Sequence, residues 1–160
     1  MGIGAMRFFL AGIMQGSHVA KALHDQDYRQ RLARLIHAHF PEADVYDPRA
    51  NHRESLGYDA LTGREVFFLH NRMCAEVDVL VAFVPEASMG TAIEMWEAFR
   101  HGAAVVTISP LVHNWAVRFL SHALYADIES FEAALADGSL AEEIRRVLAR
   151  RSAPRAERPM

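Results

Sequence analysis

The chain has 160 residues, a size that suits one domain, and 51% of them are hydrophobic, enough for one continuous core. Its net charge of -3 excludes a general binder of nucleic-acid polymers, because affinity for a phosphate backbone needs a basic face. A single nucleotide stays open as a ligand. The one cysteine, Cys74, cannot form an internal disulfide, so a reducing cytoplasm is expected. Cys74 sits in an apolar helical pattern and reads as core. No basic region followed by a long apolar run opens the chain, so no signal peptide is expected. No stretch approaches the ~20 apolar residues of a membrane span.

Met6–Ile13 is a short apolar run ending in a glycine-containing loop, which predicts a buried strand. From Asp25 to Phe40, apolar or small positions at Tyr28, Leu32, Leu35, Ile36 and Phe40 recur at helical spacing. Ala43–Tyr46 predicts a second strand, stopped by Asp47-Pro48. Pro48 to Gly63 is polar and reads as a loop over the active face, and Arg64 to Ala75 as a helix. Val77–Val84 is the clearest strand, and its almost unbroken Val, Leu and Phe character predicts burial on both faces, as in a parallel sheet. A loop over Pro85–Met89 leads to a helix over Gly90–His101 and a fourth strand over Ala103–Ile108. A short helix over His113–His122, an edge strand over Ala123–Tyr125 and a helix over Ile128–Arg150, broken near Gly138, complete the pattern. Alternating strands and helices imply an α/β fold: a single Rossmann-like domain over 1–151, with a parallel sheet of four or five strands and helices on both faces. Residues 152–160, with two prolines and three charges, read as a disordered tail.

Ligands of such sheets bind beyond the carboxyl ends of the strands. Two loops belong there. The first runs from Gly12 through Gln15, Gly16 and Ser17, where glycines let backbone N–H groups approach a ligand; a plain strand-to-helix connection reads equally well. The second runs from Ser88 through Gly90 and Thr91 to Glu94. Thr91 and Glu94 fit a capping box. Glu94 also lies near the positive end of a helix, which keeps a carboxylate ionised and suits a nucleophile. Both readings stand on the residues alone. The nine His show no HExxH or tight Cys/His spacing, so no metal site is expected.

The combination of Phe8-Phe9-Leu10-Ala11-Gly12, the strand Val77–Phe83 and Ser88-x-Gly90-Thr91-x-x-Glu94 resembles the nucleoside 2-deoxyribosyltransferase superfamily. It is most similar to the branch that hydrolyses nucleoside 5'-monophosphates. The resemblance spans roughly Met6 to Tyr125, and its most specific part is the six-residue interval from Ser88 to Glu94. It implies that Glu94 attacks the anomeric carbon and forms a glycosyl-enzyme intermediate. It implies that Ser88 binds a 5'-phosphate, and that a further serine from the neighbouring protomer of a homodimer completes the phosphate site; Ser121 is a gapped match for it. Two positions depart from the pattern. Gln15 stands where the hydrolases have an arginine on the phosphate, which removes a bidentate clamp. His70, followed by Asn71, stands where they have an aspartate on the helix before the third strand. His70 can replace it as acid or base, or serve only as a structural histidine.

The expected function is therefore an N-glycoside hydrolase or transferase that acts on a nucleoside or nucleoside 5'-monophosphate. Glu94 and His70 are the catalytic candidates. Gly12, Gln15, Gly16, Ser17, Ser88, Gly90, Asn71, Tyr58 and Ser121 are the substrate-binding candidates. No cofactor or metal is expected, since an oxocarbenium-like transition state needs a carboxylate and a proton source. Tyr58 and His52 share the polar loop that can fold over a ligand or lie inert. A non-catalytic nucleotide sensor on the same fold is the alternative.

Overall fold

The computed structural model describes residues 5–14 and 26–152. The elements run β1 (Arg7–Gly12), α1 (Asp27–His39), β2 (Asp44–Tyr46), α2 (Pro48–Asn51), a 3-10 turn (Ser55–Gly57), α3 (Ala60–Glu76), β3 (Val79–Phe83), α4 (Met89–Arg100), β4 (Ala104–Ile108), α5 (Trp115–Leu120), β5 (Ala123–Tyr125), α6 (Ile128–Ala136) and α7 (Ser139–Ser152). Five strands form one sheet in the order β2-β1-β3-β4-β5. Every pairing is parallel, with Phe8 beside Val79 and Val79 beside Ala104. The fold is the expected α/β sheet, and Ala123–Tyr125 is an edge strand, with β2 at the opposite edge.

Alternation along each strand splits the apolar residues between two cores. Phe8 and Leu10 of β1, Val79 and Val81 of β3, and Val106 and Ile108 of β4 pack with Leu32 and Ile36 of α1, Phe131 of α6 and Ile144 of α7. Phe9, Ala11, Leu80, Ala82 and Val105 face the other way, onto Cys74 of α3, Met95 and Ala98 of α4, and Val117 of α5. Burying strands on both faces needs near-continuous apolar runs, which is what β1, β3 and β4 carry.

The polar stretch after β2 holds more structure than the sequence suggests. Asp47 caps α2 by accepting the Arg49 N–H, with Pro48 at the first helical position. Asp59 accepts the Thr62 N–H at 2.7 Å, so α3 starts at Ala60 rather than Arg64. The terminal helix is two helices, parted at Gly138, whose φ of +81° is a conformation that favours glycine. Among the described residues no helix is long and apolar enough to cross a membrane. Of residues 152–160, read as a disordered tail, Ser152 is the last residue of α7 and 153–160 lie outside the described residues.

Candidate active site

Strand order reverses between β1 and β3, the switch point at which sheets of this topology leave a crevice beyond the carboxyl ends of the strands. A cavity of about 740 Å3 lies there. Gly12 and Met14 reach it from the end of β1, and Val84 and Ala87 from the end of β3. Ser88, Gly90 and Glu94 come from α4 and the residue before it; His52, Leu56 and Tyr58 come from the segment after β2. Gly63, Val66, Phe67 and His70 share one face of α3 at helical spacing and form a further wall.

The start of α4 corrects one sequence reading. Ser88, not Thr91, is the N-cap: its Oγ accepts the Thr91 N–H at 3.3 Å and lies 2.9 Å from the Thr91 hydroxyl. Thr91 is thereby the third helical residue, and Glu94 falls in the second turn, out of reach of any capping box. The electrostatic expectation for Glu94 is also reversed. Dipole stabilisation fades within the first turn, whereas desolvation acts fully on a carboxyl removed from bulk solvent. Burial pushes Glu94 up to about 7, against the downward pull of Arg29.

Arg29 is the residue that sequence reasoning missed. It projects from the first turn of α1 and is only 2% exposed. Its Nη1 donates to the Leu10 carbonyl at 2.9 Å and lies 3.3 Å from Asp47 Oδ1; Nη2 donates to the Gly12 carbonyl at 3.0 Å, and Nε to Gln26 Oε1 at 2.7 Å. The fork geometry of guanidinium suits this set of acceptors. One side chain thus ties the carboxyl end of β1 to the start of α2. Gly12 has a packing role too. A Cβ there would sit 2.1 Å from the Tyr28 hydroxyl, so only glycine leaves room for that ring.

Beside Glu94's cavity lies a cluster of two histidines and two tyrosines. His70 is buried, and its Nε2 is 3.3 Å from the Tyr46 hydroxyl. The His52 ring sits 5.1 Å from the His70 ring, and His52 Nδ1 is 3.0 Å from the Tyr58 hydroxyl. Burial, reinforced by the positive potential of His52 and Arg29, pushes His70 down to about 4. His70 is therefore neutral at pH 7 and brings no imidazolium proton to the cavity.

Of the residues singled out in the sequence, Glu94, His70, Gly12, Ser88, Gly90 and Tyr58 meet at the cavity. Gln15, Gly16 and Ser17 lie outside the described residues. Asn71 does not reach the cavity: its Nδ2 donates back to the Phe67 carbonyl at 2.8 Å along α3. Ser121 ends α5, where its hydroxyl pairs with Thr107 Oγ1 at 2.6 Å and with the Val117 carbonyl, so it serves its own chain's packing. His52 carries no signal beyond its polar loop. Val66 and Phe67 were accessible from their spacing to His70. Among the described residues no group of three or more His, Cys, Asp or Glu is placed to share a metal ion.

No family model and no curated protein matches the chain. Solved structures do. A 2-deoxyribosyltransferase from the psychrotolerant bacterium Bacillus psychrosaccharolyticus superposes with a TM-score of 0.60 at 18% identity, over 81% of this chain and 95% of that one. The solution structure of BlsM superposes with a TM-score of 0.65 at 23% identity, over 98% of this chain and all of that one. The chain shares its fold with both.

Proposed function

We propose that this chain is an N-glycoside hydrolase or transferase acting on a nucleoside or nucleoside 5'-monophosphate, with Glu94 as the nucleophile. The observation that carries the reading is the placement of Glu94, the one carboxyl group among the described residues lining it, in a cavity at the β1/β3 switch point, beside aromatic walls. The likeness of fold to a 2-deoxyribosyltransferase supports it.

In this reading the Glu94 carboxylate bonds to the anomeric carbon as the C–N bond breaks, and its electron pair leaves with the base. Water then resolves the ester in a hydrolase, and a second base does so in a transferase. Phe67 and Tyr58 offer flat surfaces to the base. Ser88 and the first N–H groups of α4 offer hydrogen bonds to a ribose or phosphate oxygen. His70, neutral, orients a polar group or accepts a proton. The working form is a homodimer.

Release of free base from a panel of purine and pyrimidine nucleosides and their 5'-monophosphates tests the proposal, with Glu94→Gln as the control. Base released by the wild type and not by the variant is the expected result. A thermal shift with these ligands but no turnover by the wild type would support the sensor reading instead. The neutral His70, in place of a carboxylate, is the feature that favours that alternative.

A further inference from the structure

Cleaving an N-glycosidic bond leaves negative charge on the departing base unless a proton arrives. Glu94 cannot supply it while acting as nucleophile, and His70, buried in the cavity wall, has its Nε2 engaged by Tyr46. The described residues that line the cavity include one other imidazole, His52. It sits on the segment between α2 and the 3-10 turn, half-buried, and lines the same cavity as Glu94 of α4.

We propose that His52, held by Tyr58, is the proton donor to the leaving base; this rests on the glycosidase reading given above. The geometry explains why the pair suits the task. The Tyr58 hydroxyl lies 3.0 Å from His52 Nδ1. The phenol oxygen accepts from Nδ1–H when the imidazole is charged, and still does so when the ring has lost its Nε2 proton. Held through Nδ1, the ring leaves Nε2 free for the cavity, a donor when charged and an acceptor once that proton is gone. Tyr58 is a positioning residue; His52 is the catalytic one.

His70 of α3 and Tyr58 pack against His52, Tyr46 of β2 pairs with His70, and Arg29 pairs with Asp47. The first step forms the bond from Glu94 to the anomeric carbon, breaks the C–N bond, and moves the His52 Nε2 proton onto the base. In hydrolysis, water then attacks the anomeric carbon, its proton goes to neutral His52, and the Glu94 ester bond breaks to restore the carboxylate.

The test measures base release from the same nucleoside and nucleotide panel by wild type, His52→Gln and Tyr58→Phe, with thermal unfolding of each to establish folding. We expect His52→Gln to lower kcat by ~10²–10⁴, most for the least acidic leaving bases, and to abolish the alkaline limb of the kcat/KM profile. Tyr58→Phe keeps the imidazole, so a smaller loss with a displaced alkaline limb is expected, and this variant decides the matter should His52→Gln fail to fold. An equal loss across all bases, or an alkaline limb unmoved in both variants, would overturn the assignment while leaving Glu94's role intact. No base released by the wild type from any member of the panel would overturn the glycosidase reading, and this one with it.

Discussion

Ser88 Oγ accepts the Thr91 N–H at 3.3 Å, so the first turn of α4 is closed without any help from Glu94. A carboxyl that caps nothing, in a place that raises its proton affinity to about 7, is held there against the interest of stability. Glu94→Gln should therefore abolish turnover and stabilise the fold. The sign follows from linkage. A folded-state value above the unfolded one near 4.5 means the native state binds the extra proton between those values, so wild-type stability falls as pH rises through that window. Above it, removing the charge recovers up to about 3 kcal/mol. Urea unfolding at pH 5 and pH 8 checks this. A Gln variant less stable than wild type at pH 8 would contradict it.

His70 works in the opposite direction. Its folded value of about 4 lies below the ordinary 6.5, so the unfolded chain binds more protons between them and stability rises with pH across that range. From about 4.5 to 6.5 the slopes of Glu94 and His70 oppose each other. In His70→Gln only the Glu94 slope remains. The expected outcome is a variant whose stability declines from pH 4.5 to 6.5 relative to wild type, whatever its absolute value. Parallel pH–stability curves for the two proteins would count against the neutral, buried state of His70.

Arg29→Met leaves Asp47 without its cation and the Leu10 and Gly12 carbonyls without their donor. Breaking one side of a buried pair costs about 3–5 kcal/mol, and chemical denaturation should show a loss of that order. It also removes the charge that restrains Glu94, so the acidic limb of the activity profile should move to higher pH in whatever folded enzyme survives. Arg29→Lys should fall between the two, because an ammonium keeps the charge and loses the fork.

Met89, Ile93 and Trp96 form an exposed apolar stripe along α4, and Trp115 and Phe119 one along α5, with Trp115 76% exposed. Contiguous apolar surface of this kind marks an interface. A homodimer through α4 and α5 is expected by light scattering, and Trp96→Glu with Trp115→Glu should yield monomer. A clean monomer of the wild type at high concentration would refute it.

Among the described residues lining the cavity there is no lysine or arginine. Charge-assisted bonds to phosphate are roughly twice as strong as neutral ones, so a 5'-monophosphate should bind better than its nucleoside by no more than a factor of ~10, about 1.4 kcal/mol. Calorimetry on one such pair at low and moderate salt measures it. A thousandfold preference would mean that a basic group has taken the place left by Gln15.

The sheet is legible in the sequence because β1, β3 and β4 are buried on both faces and so carry unbroken apolar runs. The helix starts are less so. Ser88 and Thr91 are both good caps, and only the backbone geometry chooses between them. Arg29 is the hardest to foresee, since an arginine in the first turn of a helix ordinarily reads as solvated. Its acceptors on Leu10 and Gly12 are backbone carbonyls contributed by a different element, and no side-chain pattern announces them. The proton affinity of Glu94 is hidden for the same reason: it depends on what excludes water from the cavity, not on its neighbours in sequence.

Among the described residues three glycines line the cavity, Gly12, Gly63 and Gly90, and they differ in what they permit. Position 12 is closed, since even a methyl group would collide with Tyr28, whose ring packs 4.3 Å from that of Phe83. At 63 and 90 an added Cβ meets nothing within 4 Å, and both lie inside helices, where alanine is favoured over glycine by about 0.5–1 kcal/mol. For anyone wishing to redirect this chain toward other substrates, those two codons are where a library can add bulk to the cavity wall and strengthen the scaffold in the same stroke, while codon 12 should be left as it is.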